Sequence, residues 1–371
     1  METIRFILVL VLISCAPSAL AASFDVRGSG DPVEAKLELF RRMLRHPHSE
    51  THHFESPVDK AHIHYIKWHG GFTPETPILY LTGRGELSSA WAEMVYTMRY
   101  KHRFTGAAYV MDHRGQGFSE HLGGPVTDSY VKNFSDYVED IKAMIKLVSR
   151  ENRGQKPFII AHSMGATALW LALAEEPDLA DDVALITMMG DVNLGPIEFL
   201  GDGAAMVIIN LISAIRPRMA FGRHLPGVVN VRNPVQVRTT DPVRAEARWR
   251  LLQRHHAYRP GKSARWTSQA LKATRQALAK AHQVQANVLM FAAEYDHVVE
   301  PERLKELSCL APHCRLEFLR GAYHASHEEA DEIRGPMLQK IADHFRHIQY
   351  DDSCDSVLTE LKSRDDDDDG H

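Results

Sequence analysis

Ser163, Asp296 and His324 are the residues of this chain whose types and order could activate a hydroxyl group. Ser163 lies in Ala161-His162-Ser163-Met164-Gly165, where the apolar run Pro157-Phe158-Ile159-Ile160 feeds a small-x-Ser-x-Gly turn and Thr167 to Glu175 reads as a helix. So sharp a turn needs small flanking residues and pushes the serine oxygen out at the strand end; Ala161 stands where the pattern usually has glycine. A serine hydroxyl is a poor nucleophile at neutral pH. His324 could take its proton during attack and return it to a leaving group, and Asp296 could fix the imidazole tautomer and stabilise its charged form. Each residue alone is ordinary: a loop serine, a loop carboxylate, one of many histidines. Together they come in the order Ser, Asp, His, each just after a strand-like run: 157–160, 287–293 and 315–319. Attack on a carbonyl also needs donors for the developing oxyanion. The backbone N–H of Met164 is one candidate. That of Arg84, in Thr82-Gly83-Arg84-Gly85-Glu86 after the strand 77–81, is the other.

The elements that must position these groups follow from the pattern. Short apolar strands alternate with helical stretches, which predicts an α/β fold with a mostly parallel central sheet flanked by helices. All three groups then leave the sheet at the carboxyl edge, where such sheets place their sites. With 371 residues, 44% of them apolar, the chain can bury a large core as one elaborated domain. We expect the core to run over 22–196 and 276–350, interrupted by a helical cap at 197–275 inserted after the strand near 184–188. Asp112-His113-Arg114-Gly115-Gln116-Gly117-Phe118-Ser119 reads as a structural turn after the strand 107–111, braced by the Asp112 carboxylate.

Three segments carry a family resemblance: Ala161-His162-Ser163-Met164-Gly165, the Asp112–Ser119 turn and Gly321-Ala322-Tyr323-His324. From about Phe54 to His347 the chain resembles the monoglyceride lipase and lysophospholipase L2 group of α/β-hydrolases, and the first two motifs are most similar to the bacterial lysophospholipase L2 branch. Thr82 stands where monoglyceride lipases carry the His of a His-Gly-x-Gly-Glu pattern. The resemblance implies an α/β-hydrolase fold and hydrolysis of a single-chain lipid ester, a lysophospholipid first, a monoacylglycerol or simpler ester second; the alternative from outside enzymes is a membrane-tethered lipid-binding protein on a catalytically dead hydrolase fold. No metal or organic cofactor is expected.

Within the cap, Ala204 to Ile215 is apolar nearly all round, which predicts a helix that is buried or lines an acyl channel rather than one facing a membrane. From Arg216 to Lys280 there are fifteen Lys or Arg, against Asp241 and Glu246. Arg248 and Arg250 are candidates for contacting a lipid head group; a solvated basic face is the plainer reading. Nucleic acid is not an expected partner, and the oligomeric state is not set by the sequence.

The N-terminus reads as a targeting segment over 1–21. Arg5 precedes the apolar run Phe6 to Ile13, and Ala19-Leu20-Ala21 offers a cleavage site; Leu12-Ile13-Ser14-Cys15 offers lipidation at Cys15 instead. Either route implies export, to the periplasm, a membrane anchor or the medium. Cys309 and Cys314 would then suit a disulfide, contributing about 2 kcal/mol for so short a loop. The formal net charge of −5 is matched by the five acids Asp365 to Asp369, in an expected disordered tail over 351–371. His46, His48, His52 and His53 read as a polar loop.

Overall fold

The computed structural model describes residues 30–71, 75–121, 128–192, 201–221, 238–256 and 261–348. In chain order the elements are α1 (Pro32–Leu44), β1 (Ser49–Glu55), β2 (His62–Trp68), β3 (Ile78–Leu81), α2 (Ala92–Tyr96), β4 (Ala108–Met111), β5 (Asp128–Ser129), α3 (Ser135–Glu151), β6 (Phe158–His162), α4 (Ser163–Glu175) and β7 (Asp182–Ile186). There follow α5 (Gly201–Ile215), β8 (Ala220–Phe221), α6 (Pro242–Arg254), β9 (Gly261–Ser263), α7 (Ala264–Ala279), β10 (Asn287–Ala293), α8 (Pro301–Leu310), β11 (Cys314–Leu319) and α9 (Asp331–Phe345).

Eight strands form one sheet in the order β1-β2-β4-β3-β6-β7-β10-β11. β2 runs antiparallel to both β1 and β4, and the remaining neighbours are parallel. The central strands are apolar from end to end because helices cover both faces; every residue of β3, β4 and β7 is buried. β1 alternates and lies at an edge, so the histidines expected in a loop are partly in a strand. One core lies on each face of the sheet. α4 is buried from Ser163 to Ala174, which explains its lack of a polar face. α1 and α6 start on the same device: Asp31 accepts from Val33 N and Asp241 from Val243 N, with proline at the first helical turn of each.

The insertion between β7 and β10 is less separate than a lid. α6 packs on α1. α7 runs past 275 and joins the core, with Trp170 Nε1 donating to the Ala277 carbonyl at 3.0 Å. β9 joins β5, from the first half of the chain, to β8 in a small second sheet.

Two expectations are corrected here. α5 is not buried all round: Ala205, Ile209 and Ser213 are buried and the helix packs on α7, while Val207, Leu211 and Ile215 are 67, 60 and 69% exposed. Its composition is apolar on every side, but it has a packing partner on one side. Cys309 and Cys314 form no disulfide. Cys309 faces solvent near the end of α8, whereas Cys314 opens β11 and leans on the core, so the side chains serve different surroundings. The segment 1–21 expected to direct targeting, with Cys15 and Ala21, and the acidic tail lie outside the described residues. Among the described residues no helix is long and apolar enough to cross a membrane.

Candidate active site

β6 ends at His162 and α4 begins at Ser163 with no intervening loop, so the reversal falls on the serine, whose φ is 49°. A non-glycine residue held there is strained, and the surrounding packing must impose it. A methyl on Gly165 would lie 2.3 Å from the Thr82 carbonyl, so the turn admits no larger residue at that position. Ser163 and His324 are buried, and the Asp296 side chain is buried with them.

The three expected groups meet. His324 Nε2 lies 2.9 Å from Ser163 Oγ, and His324 Nδ1 lies 2.7 Å from Asp296 Oδ2. The other Asp296 oxygen accepts from the backbone N–H groups of Val298 and Val299 at 2.8 and 2.9 Å. The His324 carbonyl accepts from Thr187 Oγ1 at 2.7 Å and from His162 Nε2 at 3.1 Å, which fixes the loop that carries the ring. Burial raises the Asp296 carboxyl, but the His324 imidazole and the two N–H groups outweigh it and hold it below its usual range. Burial lowers the His324 imidazole, and Asp296 only partly restores it, so the ring stays neutral and able to accept a proton. The positive end of α4 also faces any charge that develops beside Ser163.

The candidate oxyanion donors lie in two segments, the first turn of α4 and the loop after β3. Met164 N–H lies in the first turn of α4, where the helix itself leaves donors unused. Arg84 follows Gly83 in a loop held from below: Gly83 N donates to Glu86 Oε2 at 2.6 Å, Gly85 N to Gln116 Oε1, and His113 Nε2 to the Thr82 carbonyl at 2.8 Å. Asp112 accepts from Ser88 N at 2.6 Å and Ser88 Oγ at 2.9 Å. The Asp112–Ser119 turn is therefore scaffolding for this loop rather than chemistry.

The two arginines named as head-group candidates lie in different surroundings. Arg248 is 3% exposed, with its guanidinium 2.6 Å from Glu328 and 3.4 Å from Glu86, inside the molecule. Arg250 is on the surface between Glu246 and Glu34. The expected pair of head-group ligands is thus split between a buried ion-pair network and an outer helix face.

That buried network was not anticipated. Glu86 Oε1 lies 2.8 Å from His162 Nδ1, and Glu86 Oε2 accepts from Trp91 Nε1 at 3.1 Å. His327 stacks on Trp91 at 4.6 Å between ring centroids, its Nε2 3.7 Å from Glu86 and neither ring nitrogen hydrogen-bonded. Burial favours neutral Glu86, yet the charges of His162 and Arg248 hold it well below the ordinary carboxylate range; burial pushes His327 well below the ordinary histidine range. Glu86, His162 and His327 are close enough to ligate a cation. The Arg248 guanidinium already meets the same carboxylate oxygen, so the donor set suits a fixed arginine and not a metal. The signals in the sequence are positional: Glu86 three residues after Gly83, His162 beside Ser163, His327 three residues after His324.

With the geometry in place, similarity to known proteins adds the lineage. The chain is 28% identical over 311 residues to lysophospholipase L2 of Escherichia coli (strain K12), covering 78% of this chain and 86% of that protein. It is 22% identical over 298 residues to the monoglyceride lipase of Rattus norvegicus, covering 80% and 90% respectively. Among solved structures, a soluble variant of the Saccharomyces cerevisiae monoglyceride lipase superposes with a TM-score of 0.60 at 15% identity, over 81% of this chain and 97% of that one. The family model described as serine aminopeptidase, S33, matches residues 73–331, from just before β3 to the start of α9, and the chain belongs to that family of α/β-hydrolases.

Proposed function

We propose that this protein is a serine-dependent lipid hydrolase, most specifically a lysophospholipase. Its lysophospholipase and monoglyceride lipase relatives make it a carboxylic ester hydrolase. The observation that carries the serine mechanism is the continuous relay of 2.9 and 2.7 Å from Ser163 through His324 to Asp296. Ser163 Oγ attacks the acyl carbonyl as His324 Nε2 takes its proton, and Met164 and Arg84 N–H groups stabilise the oxyanion. His324 then protonates the leaving glycerol oxygen. Water, deprotonated by the same ring, releases the fatty acid from the acyl-enzyme.

The choice of lysophospholipid over monoacylglycerol is supported by the higher identity to lysophospholipase L2 and by the basic insertion. Association with a membrane surface belongs to the same reading, supported by the exposed stripe Val207, Leu211 and Ile215 on α5. So does export through the segment 1–21, where the lipid would be met.

A panel of lysophospholipids, monoacylglycerols and short p-nitrophenyl esters of matched acyl chain tests this function. The expected order of kcat/KM is lysophospholipid, then monoacylglycerol, then short ester. A preference for monoacylglycerol would move the protein to the lipase reading; no ester hydrolysis would overturn both.

A further inference from the structure

Glu329 is fully buried five residues beyond His324, and a carboxylate taken out of water must be met by donors. Its donors come from two segments far apart in sequence. Oε1 accepts from Tyr323 N at 2.7 Å, in the loop after β11 that carries His324. Oε2 accepts from Thr240 N at 2.7 Å and from Thr240 Oγ1, and Thr239 Oγ1 lies 3.2 Å from it. Thr239 and Thr240 belong to the insertion, directly before the Asp241 cap of α6. These donors are neutral, so geometry rather than an opposite charge fixes the carboxylate between the two segments.

The same stretch of the insertion reaches the far side of the histidine. The Arg238 carbonyl accepts from Ala325 N at 2.8 Å, and Thr239 Oγ1 donates to the Glu328 carbonyl at 2.8 Å. The residue before His324 and the residue after it are therefore both tied to residues 238–240, one through the Glu329 side chain and one directly. The His324 carbonyl is held from the sheet side by Thr187 Oγ1 and His162 Nε2. The stretch is itself anchored: Arg244, in the first turn of α6, donates to the Glu329 carbonyl at 2.7 Å and pairs with Glu93 on α2 at 2.9 Å.

We propose that Glu329 is a positioning residue for His324: its carboxylate ties residues 238–240 of the insertion to the loop that carries the imidazole, and the insertion thereby sets the reach of the base to Ser163. Glu329 acts through the backbone of residues 323–325 and not on the reacting atoms. The relay of 2.9 and 2.7 Å through His324 leaves little tolerance, since a displacement of about 1 Å can cost about 100-fold in rate. The role rests on the serine-hydrolase reading and gives the insertion a part in catalysis besides any contact with substrate.

The test compares kcat and KM on a water-soluble p-nitrophenyl ester for wild type, Glu329→Gln, Thr240→Val and Thr240→Ser. In Glu329→Gln one acceptor oxygen remains where two served, so Tyr323 N and Thr240 N cannot both be satisfied. Its kcat should fall about 10- to 100-fold with KM within about twofold of wild type. Single turnovers at high enzyme concentration then separate positioning from general loosening. In a His324→Ala background, Glu329→Gln should lower the residual rate no further, because its effect passes through the imidazole. A further fall of the same size in that background would overturn the role, as would a kcat within about twofold of wild type in Glu329→Gln. Should Glu329→Gln not fold, Thr240→Val decides: Thr240 is exposed, and losing its hydroxyl should lower kcat roughly 3- to 10-fold, with Thr240→Ser restoring it. A wild-type kcat in Thr240→Val would then overturn the role while leaving ester hydrolysis intact. Wild type that cleaves no ester would instead sink the hydrolase reading, and the positioning role with it.

Discussion

At the scale of single residues, the pH response follows from which groups are buried neutral. The proposed mechanism requires an unprotonated His324, and burial keeps its proton affinity low. The acid limb of kcat/KM should therefore have its midpoint below 6.5, the ordinary histidine value. A midpoint above that value, read from a pH–rate profile, would contradict the account. Stability should fall on acidification for a related reason. His327 is neutral when folded but takes a proton below about pH 6.5 when unfolded, so the unfolded chain binds more protons there and is favoured as pH drops. Glu86→Gln removes the carboxylate charge shared by Arg248 and His162, leaving buried charge less compensated, and should cost about 3–5 kcal/mol in urea unfolding. A loss under about 1 kcal/mol would mean that the network is not holding the loop. Ser163, Asp296 and His324 were legible in the sequence because the chemistry admits few residue types and the chain order is restrictive. Glu86, His327 and Arg248 were not. Each is an ordinary polar residue in its own segment, and only the approach of the loop after β3, the His324 loop and α6 gives them one another.

At the scale of elements, the strands around the site were readable because burial on both faces leaves continuous apolar runs bounded by turns. Helix surroundings were harder. α5 has an apolar residue at nearly every position, and composition alone could not say that one side would find α7 and the other would find nothing described. Its two faces predict opposite outcomes. Leu211→Asp, on the exposed face, should change stability by less than about 0.5 kcal/mol and weaken sedimentation with lipid vesicles. Ile209→Asp puts a charge into the buried face and should leave little folded protein. Unchanged vesicle binding by Leu211→Asp would remove α5 from membrane association. The disulfide expectation failed for a similar reason: only four residues lie between Cys309 and Cys314, but one sits near the end of a helix on the outside and the other opens a strand against the core.

At the scale of the whole molecule, the sheet brings together groups that are far apart in sequence, and each part of the site rests on a different segment. β6 and α4 strain the serine, the β10 and β11 loops bring the carboxylate and imidazole, the β3 loop carries the candidate oxyanion donor Arg84, and the Arg84 side chain reaches the Gly261 carbonyl of the insertion. Charge is divided accordingly: the Arg216–Lys280 region is strongly basic while the five acids Asp365 to Asp369 match the net −5. The central claim is that this assembly makes one hydroxyl reactive. Incubation with a fluorophosphonate probe, followed by digestion and mass spectrometry, tests it most directly. The account predicts stoichiometric phosphonylation of Ser163 in the wild type and almost none in His324→Ala, which retains the serine but lacks the base. Probe on another residue, or a Ser163 that labels equally well without His324, would contradict it.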